Sequence, residues 1–333
     1  MRIAVNGLGR MGRLFVRAAL ARGLQVVCAN EPKGTPEAIA LGIEFDSVQG
    51  RFDREVLAVD DAILVDGHRI ALAKSVEPRE LGWSQLGVQL VVECSGKVKK
   101  RSSLQPWFDA GIERLLVSNP VPGAQNLVYG VNDEACDFSS ERVVTAASCT
   151  TNCLVPLVRV LHDAIGIERG LVTTIHDPTN TQGVVDRIDT DLRRARSALC
   201  NLIPTTTNSA QTVGEIVPEL KGRLDCIAVR APVLNASIVD CSLHMARVTT
   251  IDEVNGCLRA AAQKGPLRGI LGYETRPLVS SDFARDPRSA IVDAQCTNVV
   301  DGRMVRVMAW YDNEWGYVNR MVDLTARFRA AIS

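Results

Sequence analysis

The 333-residue sequence has no excess of charge of either sign, no paired-cysteine motif and no apolar run of membrane-spanning length. Lys plus Arg number 38 and Asp plus Glu number 38, so no global field attracts nucleic acid or an anionic membrane. Neither nucleic-acid binding nor membrane insertion is expected. The ten cysteines are scattered, without a C-x-x-C pair or metal-ligand spacing, so neither a zinc site nor a disulfide framework is expected. Reduced thiols and a cytoplasmic location are the expectation. The opening Met1-Arg2-Ile3-Ala4-Val5-Asn6 goes straight into a strand and lacks a secretory-signal pattern. Hydrophobic residues at 46% and charged residues at 23% suit a globular chain, and the length suits two domains.

What is present begins at once. Arg2 to Gly7 alternates as a short strand with Ile3 and Val5 on one face, and Gly7-Leu8-Gly9-Arg10-Met11-Gly12 follows as a G-x-G-x-x-G. Met11, Leu14, Phe15 and Ala18 then recur at helical spacing, with Gly23 as the stop. A second strand, 24–30, delivers Glu31, 19 residues after Gly12. This is the layout of a dinucleotide site: Gly7 for the tight turn, Gly9 for backbone approach to a pyrophosphate, Gly12 for close helix–strand contact. Glu31 can accept from a free ribose 2′-hydroxyl and would repel a 2′-phosphate, which favours NAD over NADP. Further buried strands at 88–94 and 115–118 end on Ser95-Gly96 and Ser118, candidates for the same ligand, although ordinary loop capping explains each alone. The run Lys97 to Arg101 reads as a solvated helix start.

The second half carries reactive groups. Ser148-Cys149-Thr150-Thr151-Asn152 precedes Leu154, Leu157, Val158, Leu161 and Ile165 at helical spacing. Thr150 and Thr151 are good cap residues, so Cys149 is expected at a helix start, where the dipole favours a thiolate nucleophile. A packed structural cysteine is the alternative, and the polar neighbours argue against it. Cys153 shares that helical face and is expected to be packed. A strand 170–176 ends on His176, 27 residues after Cys149, a candidate base. His68, His162 and His244 fall in a turn, a helix and a strand without a reactive partner. Thr179, Thr181, Arg193, Arg194, Arg196, Thr205 to Thr207, Asn208 and Arg230 gather hydroxyls and guanidinium groups suited to two anions. Strands at 226–233, 237–248, 290–296 and 305–312 point to a mainly antiparallel sheet with helices on one face, and a helix near 318–331 closes the chain.

Four blocks together resemble the phosphorylating glyceraldehyde-3-phosphate dehydrogenase family over essentially the full chain: Asn6 to Arg13, Ala147 to Cys153, Asp191 to Arg196 and Trp310 to Tyr317. The resemblance implies an α/β protein with a Rossmann-type NAD-binding domain, 1–148 completed by 313–333, and an α+β catalytic domain, 149–312, with a mainly antiparallel sheet. It implies Cys149 as acyl-carrying nucleophile and His176 as base, acting on glyceraldehyde 3-phosphate with NAD. Gly7, Gly9, Arg10, Met11, Gly12, Glu31, Ser95, Gly96, Ser118, Asn313 and Tyr317 match the cofactor region. Thr179, Thr181 and Arg230 match the substrate-phosphate site, and Ser148, Thr150, Arg194, Thr207 and Asn208 the region of the attacking phosphate. A homotetramer is implied as well.

Three departures stand out: Asn208 replaces a usual Gly, Asp177-Pro178 a small residue and Tyr, and Glu31 the commoner Asp. Glu44 to Ser47, Glu93 to Lys100 and His176 to Gln182 look most like the branch encoded beside an organoarsenical exporter in arsenic-resistance operons. In that branch arsenate is the acyl acceptor and 1-arseno-3-phosphoglycerate is handed to the exporter. Erythrose-4-phosphate dehydrogenase is a competing reading, which Thr179 and Thr181 oppose. A redox-sensing NAD-binding protein that uses Cys149 without turnover is a reading of another class.

Overall fold

Ile3, Ala4 and Val5 are all fully buried in strand β1 (Arg2–Asn6), so β1 is covered on both faces and not on alternate residues. A computed structural model describes residues 1–179 and 182–332 and divides into two units, 1–148 with 318–333 and 149–317. In the first unit β1 leads to α1 (Arg10–Ala21), β2 (Gln25–Asn30), α2 (Pro36–Glu44), β3 (Val56–Val59), β4 (Ala62–Val65) and β5 (His68–Ala73). Then come β6 (Leu90–Glu93), α3 (Gln105–Asp109), β7 (Leu115–Val117), β8 (Gln125–Asn126) and β9 (Val143–Thr145).

These strands form one sheet in the order β3-β4-β5-β2-β1-β6-β7-β9-β8, parallel from β5 to β8. The chain leaves β1 for β2 on one side and later returns to β6 on the other. Ligands of open parallel sheets collect at the strand carboxyl ends beside such a reversal. This is a Rossmann-type unit. Its core includes a stacked Trp83–Trp107 pair, 5.6 Å between centroids, against Val91, Leu104 and Leu115.

The second unit begins with α4 (Cys149–Ala164) and β10 (Ile167–His176), then β11 (Ile203–Thr206), α5 (Ser209–Ile216), β12 (Leu224–Arg230) and β13 (Ser237–Met245). α6 (Ile251–Gln263), β14 (Leu271–Glu274), β15 (Ala290–Val300) and β16 (Met304–Tyr311) follow. The sheet order is β11-β12-β10-β13-β16-β15-β14, antiparallel except at β10–β12 and β14–β15. Val172, Thr174 and His176 alternate onto the covered face of β10, while Leu171 and Ile175 are exposed on the other. The same period buries Val239, Cys241 and Leu243 in β13, and α4 covers that face with Leu154, Leu157, Val158 and Leu161.

The last helix, α7 (Trp315–Ile332), gives residues from Val318 onward to the first unit. There Phe328 meets Phe138 edge-on at 5.0 Å between centroids, and Asp323 pairs with Arg22 at 3.0 Å. Among the described residues no helix is long and apolar enough to cross a membrane.

Candidate functional site

The reversal at β1 carries a cavity of about 510 Å³ lined by Gly7, Gly9, Glu31, Ser95 and their neighbours. Gly7 has φ +88°, and a side chain there would meet the Ser95 backbone at 2.8 Å. A Cβ on Gly12 would run into the Gly7 carbonyl oxygen, so only glycine lets α1 approach β1 this closely. Gly9 is exposed at the N-cap of α1 without a side-chain cap, which leaves the helix amides available to an anion. Glu31 Oε2 accepts from the Leu8 amide at 3.0 Å, fixing its carboxylate at the end of β2. Glycine cradle, helix start and acid all fit a dinucleotide such as NAD.

Other candidates stand around this cavity in different ways. Ser95 Oγ accepts from the Lys97 amide at 3.2 Å, and Gly96 takes φ +69°. Ser118 donates its amide to the Glu93 carbonyl at 2.9 Å and does not line the cavity, nor do Arg10, Met11, Gly12 or Gly96. Arg10 forms an ion pair with Asp46. The sequence reading missed Asn6, Asn30 and Glu93, which lie at adjoining strand ends: Asn6 Nδ2 donates to Glu93 at 2.6 Å, and Asn30 Nδ2 to Asn6 at 2.8 Å. Burial pushes the Glu93 carboxyl above its ordinary range, against the pull of its Ser95 and Asn6 donors. Lys97 lines the cavity with its side chain exposed, and the helix expected at this basic run begins as a 3₁₀ turn at Arg101.

In the second unit, Cys149 is the first residue of α4 and partly exposed. The turn before it holds Ala147 at φ +51°, an uncommon left-handed value for alanine. Thr150 and Thr151 therefore lie inside the first turn and do not cap it. Thr150 Oγ1 pairs with the Tyr311 hydroxyl at 3.0 Å, and Thr174 Oγ1 with the same hydroxyl at 2.7 Å. Burial holds the Tyr311 phenol well above its ordinary value. Tyr311 and Thr174 had no signal beyond strand alternation, because their meeting depends on sheet pairing across the fold.

Cys149 Sγ lies 3.5 Å from His176 Nε2. At Nδ1 the Asp177 carbonyl oxygen is the aligned hydrogen-bond partner at 2.8 Å, with Asp177 Oδ1 an ion-pair contact at 2.6 Å. Burial at 4% exposure pushes the imidazolium down, but the Asp177 carboxylate and the Cys149 sulfur outweigh it and raise His176 to about 9. Arg230 sits directly across the parallel pairing of β10 and β12, in register with His176. Its Nη1 is 2.5 Å from His176 Nδ1 and donates to the Asp177 carbonyl at 3.0 Å. Its Nε is buried without a hydrogen-bond partner among the described residues, a donor suited to an anion.

The remaining anion candidates spread along the same edge. Arg194 Nε donates to Thr205 Oγ1 at 2.8 Å, next to β12. Thr207 Oγ1 pairs with Ser209 Oγ at 2.8 Å at the start of α5. Asn208 stands at the N-cap position of α5, without a side-chain capping bond, at φ −91°, ordinary backbone that needs no glycine, so the departure there brings no strain. Thr179 hydrogen-bonds Gln182 Oε1 through its amide and hydroxyl. Thr181 lies outside the described residues. Ser148 is half-buried and counts with the first unit. Asn313 donates to Asp177 Oδ2 at 3.0 Å and accepts from Ser237 Oγ at 3.2 Å, while Tyr317 is buried at the start of α7.

Residues 1–101 match the family model described as glyceraldehyde 3-phosphate dehydrogenase, NAD binding domain, and residues 148–313 match its C-terminal domain. A protein of Nostoc named glyceraldehyde-3-phosphate dehydrogenase 3 is 50% identical over 98% of both chains. Glyceraldehyde-3-phosphate dehydrogenases of Pseudomonas aeruginosa and Geobacillus stearothermophilus are 46% and 42% identical, over 99% of both chains and over 98% of this chain and 97% of the other. With two family domains in order and relatives this similar along their whole length, the chain belongs to the glyceraldehyde 3-phosphate dehydrogenase family.

Proposed function

We propose that this protein oxidises glyceraldehyde 3-phosphate through a thioester on Cys149, using NAD. The observation that carries the reading is the Cys149 Sγ to His176 Nε2 distance of 3.5 Å, with Arg230 in register beside the histidine. The Sγ–C bond forms as the thiolate attacks the aldehyde carbon, and the carbonyl oxygen takes the Nε2 proton to give a thiohemiacetal. Loss of hydride from that carbon returns the oxygen's proton to Nε2 and leaves a thioester. When bound in the first unit, NAD supplies the hydride acceptor. The buried donor of Arg230 suits the substrate's terminal phosphate, while Arg194, Thr205 and Thr207 suit the oxyanion that displaces the sulfur.

Phosphate as acceptor gives 1,3-bisphosphoglycerate. Arsenate has the same tetrahedral shape and would use the same hydroxyl and guanidinium donors, giving 1-arseno-3-phosphoglycerate. The blocks at Glu44 to Ser47, Glu93 to Lys100 and His176 to Gln182 support a role in arsenate resistance beside an organoarsenical exporter. A homotetramer in the cytoplasm completes the proposal. The bare apolar positions Leu171, Ile175 and Ile227 on one sheet face support self-association.

NADH formation from glyceraldehyde 3-phosphate is the test, with phosphate or arsenate and with erythrose 4-phosphate as the competing substrate. Cys149→Ser is expected to lower the rate by at least about a thousandfold. Equal rates in the two proteins would defeat the mechanism. Deletion of the gene without any effect on arsenate tolerance would defeat the resistance role alone.

A further inference from the structure

Asp177 follows the last residue of β10, and Pro178 behind it favours extended backbone. The chain leaves the strand there, and the carboxylate turns back to the preceding ring. Its amide donates to Ser237 Oγ at 3.3 Å, its carbonyl accepts from Arg230 at 3.0 Å, and Oδ2 accepts from Asn313 at 3.0 Å. With three sides of the residue clamped, Oδ1 is left 2.6 Å from His176 Nδ1. That oxygen makes no hydrogen bond among the described residues: its approach to Nδ1 is an ion-pair contact, and the aligned partner of Nδ1 is the Asp177 carbonyl. The side chain is 5% exposed, so water does not screen it.

We propose that Asp177 is a positioning residue that fixes the Nδ1 proton of His176 and turns Nε2 toward Cys149, making a Cys149–His176–Asp177 triad. Its consequence for catalysis rests on the reaction proposed above. Four groups of this unit face the imidazole: Cys149 from α4, Asp177, Arg230 from β12 and Tyr311 from β16. Tyr311 is held neutral by burial, with its hydroxyl occupied by Thr150 and Thr174, so it adds no charge. Arg230 favours a bare Nδ1, whereas the carbonyl and carboxylate of Asp177 favour a protonated one. Two oxygens, one fully charged, outweigh one guanidinium that is itself paired with the Asp177 carbonyl. During turnover only the Nε2 proton moves. Asp177 receives none and balances the charge of the imidazolium.

The triad is tested on the enzyme without substrate, by titrating ¹³C- and ¹⁵N-labelled histidine rings. The sequence has four histidines, so His176→Asn assigns the signal. The wild type is expected to carry the Nδ1–H tautomer when neutral and to titrate well above free imidazole. In Asp177→Asn and Asp177→Ser the midpoint is expected to fall by about one unit, and the alkaline limb of kcat/KM to fall with it. Asp177→Glu is expected to recover part of both. Either neutral variant suffices if the other fails to fold. An unchanged titration and tautomer, or a midpoint that moves with Arg230→Lys and not with Asp177→Asn, would overturn the proposal. The ring titration and the tautomer need no turnover. An unaltered ring in an active enzyme defeats the triad alone, whereas a wild type inactive toward glyceraldehyde 3-phosphate defeats the proposed reaction and leaves the ring titration to be judged separately.

Discussion

His176 is buried and yet cationic through the neutral range, because Asp177 and Cys149 outweigh the loss of solvent. A histidine whose folded value is raised from 6.5 to about 9 stabilises the fold fully below pH 6.5. That contribution is lost as pH rises through about 9, and it amounts to about 3 kcal/mol. Urea unfolding of the wild type is expected to lose stability across this window, and His176→Asn to show a flatter dependence there. Tyr311 makes a second prediction at this scale. Tyr311→Phe strands two buried threonine hydroxyls, Thr150 and Thr174, and is expected to cost about 1–3 kcal/mol in denaturant unfolding. An unfolding curve that matches the wild type would mean that the threonines find other partners.

At the scale of elements, the pairing of β10 with β12 sets His176 beside Arg230, and the approach of α1 to β1 sets the phosphate cradle. Gly12→Ala would push a methyl group into the Gly7 carbonyl, backbone against backbone. Overpacking of this kind costs about 1–3 kcal/mol, and NAD affinity is expected to fall at least about tenfold by calorimetry. These local devices are legible in the sequence: a strand, spaced glycines and a helix signal for the cradle, and a strand ending on histidine. The antiparallel excursion β3–β5 has a weak local signal, because its strands are only four to six residues long. Thr205 and Thr206, named in the sequence only as anion candidates, lie in the edge strand β11 from Ile203 to Thr206. The convergence of Tyr311, Thr174, Ser237 and Asn313 was illegible for another reason. Their contacts are set by register between strands far apart in sequence, and no local pattern encodes that.

For the molecule as a whole, the first unit is discontinuous. Phe328 packs on Phe138, and Asp323 holds Arg22, so residues 318–332 supply part of its core. A protein ending at Tyr317 is expected to lose NAD binding and to expose apolar surface to a hydrophobic dye, with recovery when 318–333 are restored by fusion. Undiminished NAD binding by the shortened chain would refute this. The same arrangement orders events on the ribosome. The segment 149–317 is continuous and can close as soon as it emerges, yet the earlier-made 1–148 must wait for residues 318–332. At 5–20 residues per second that wait is roughly 10–40 s. The unit begun earlier is thus completed after the one begun later, and through that interval the apolar surface that 318–332 will cover stays open to the chaperones that bind such surfaces.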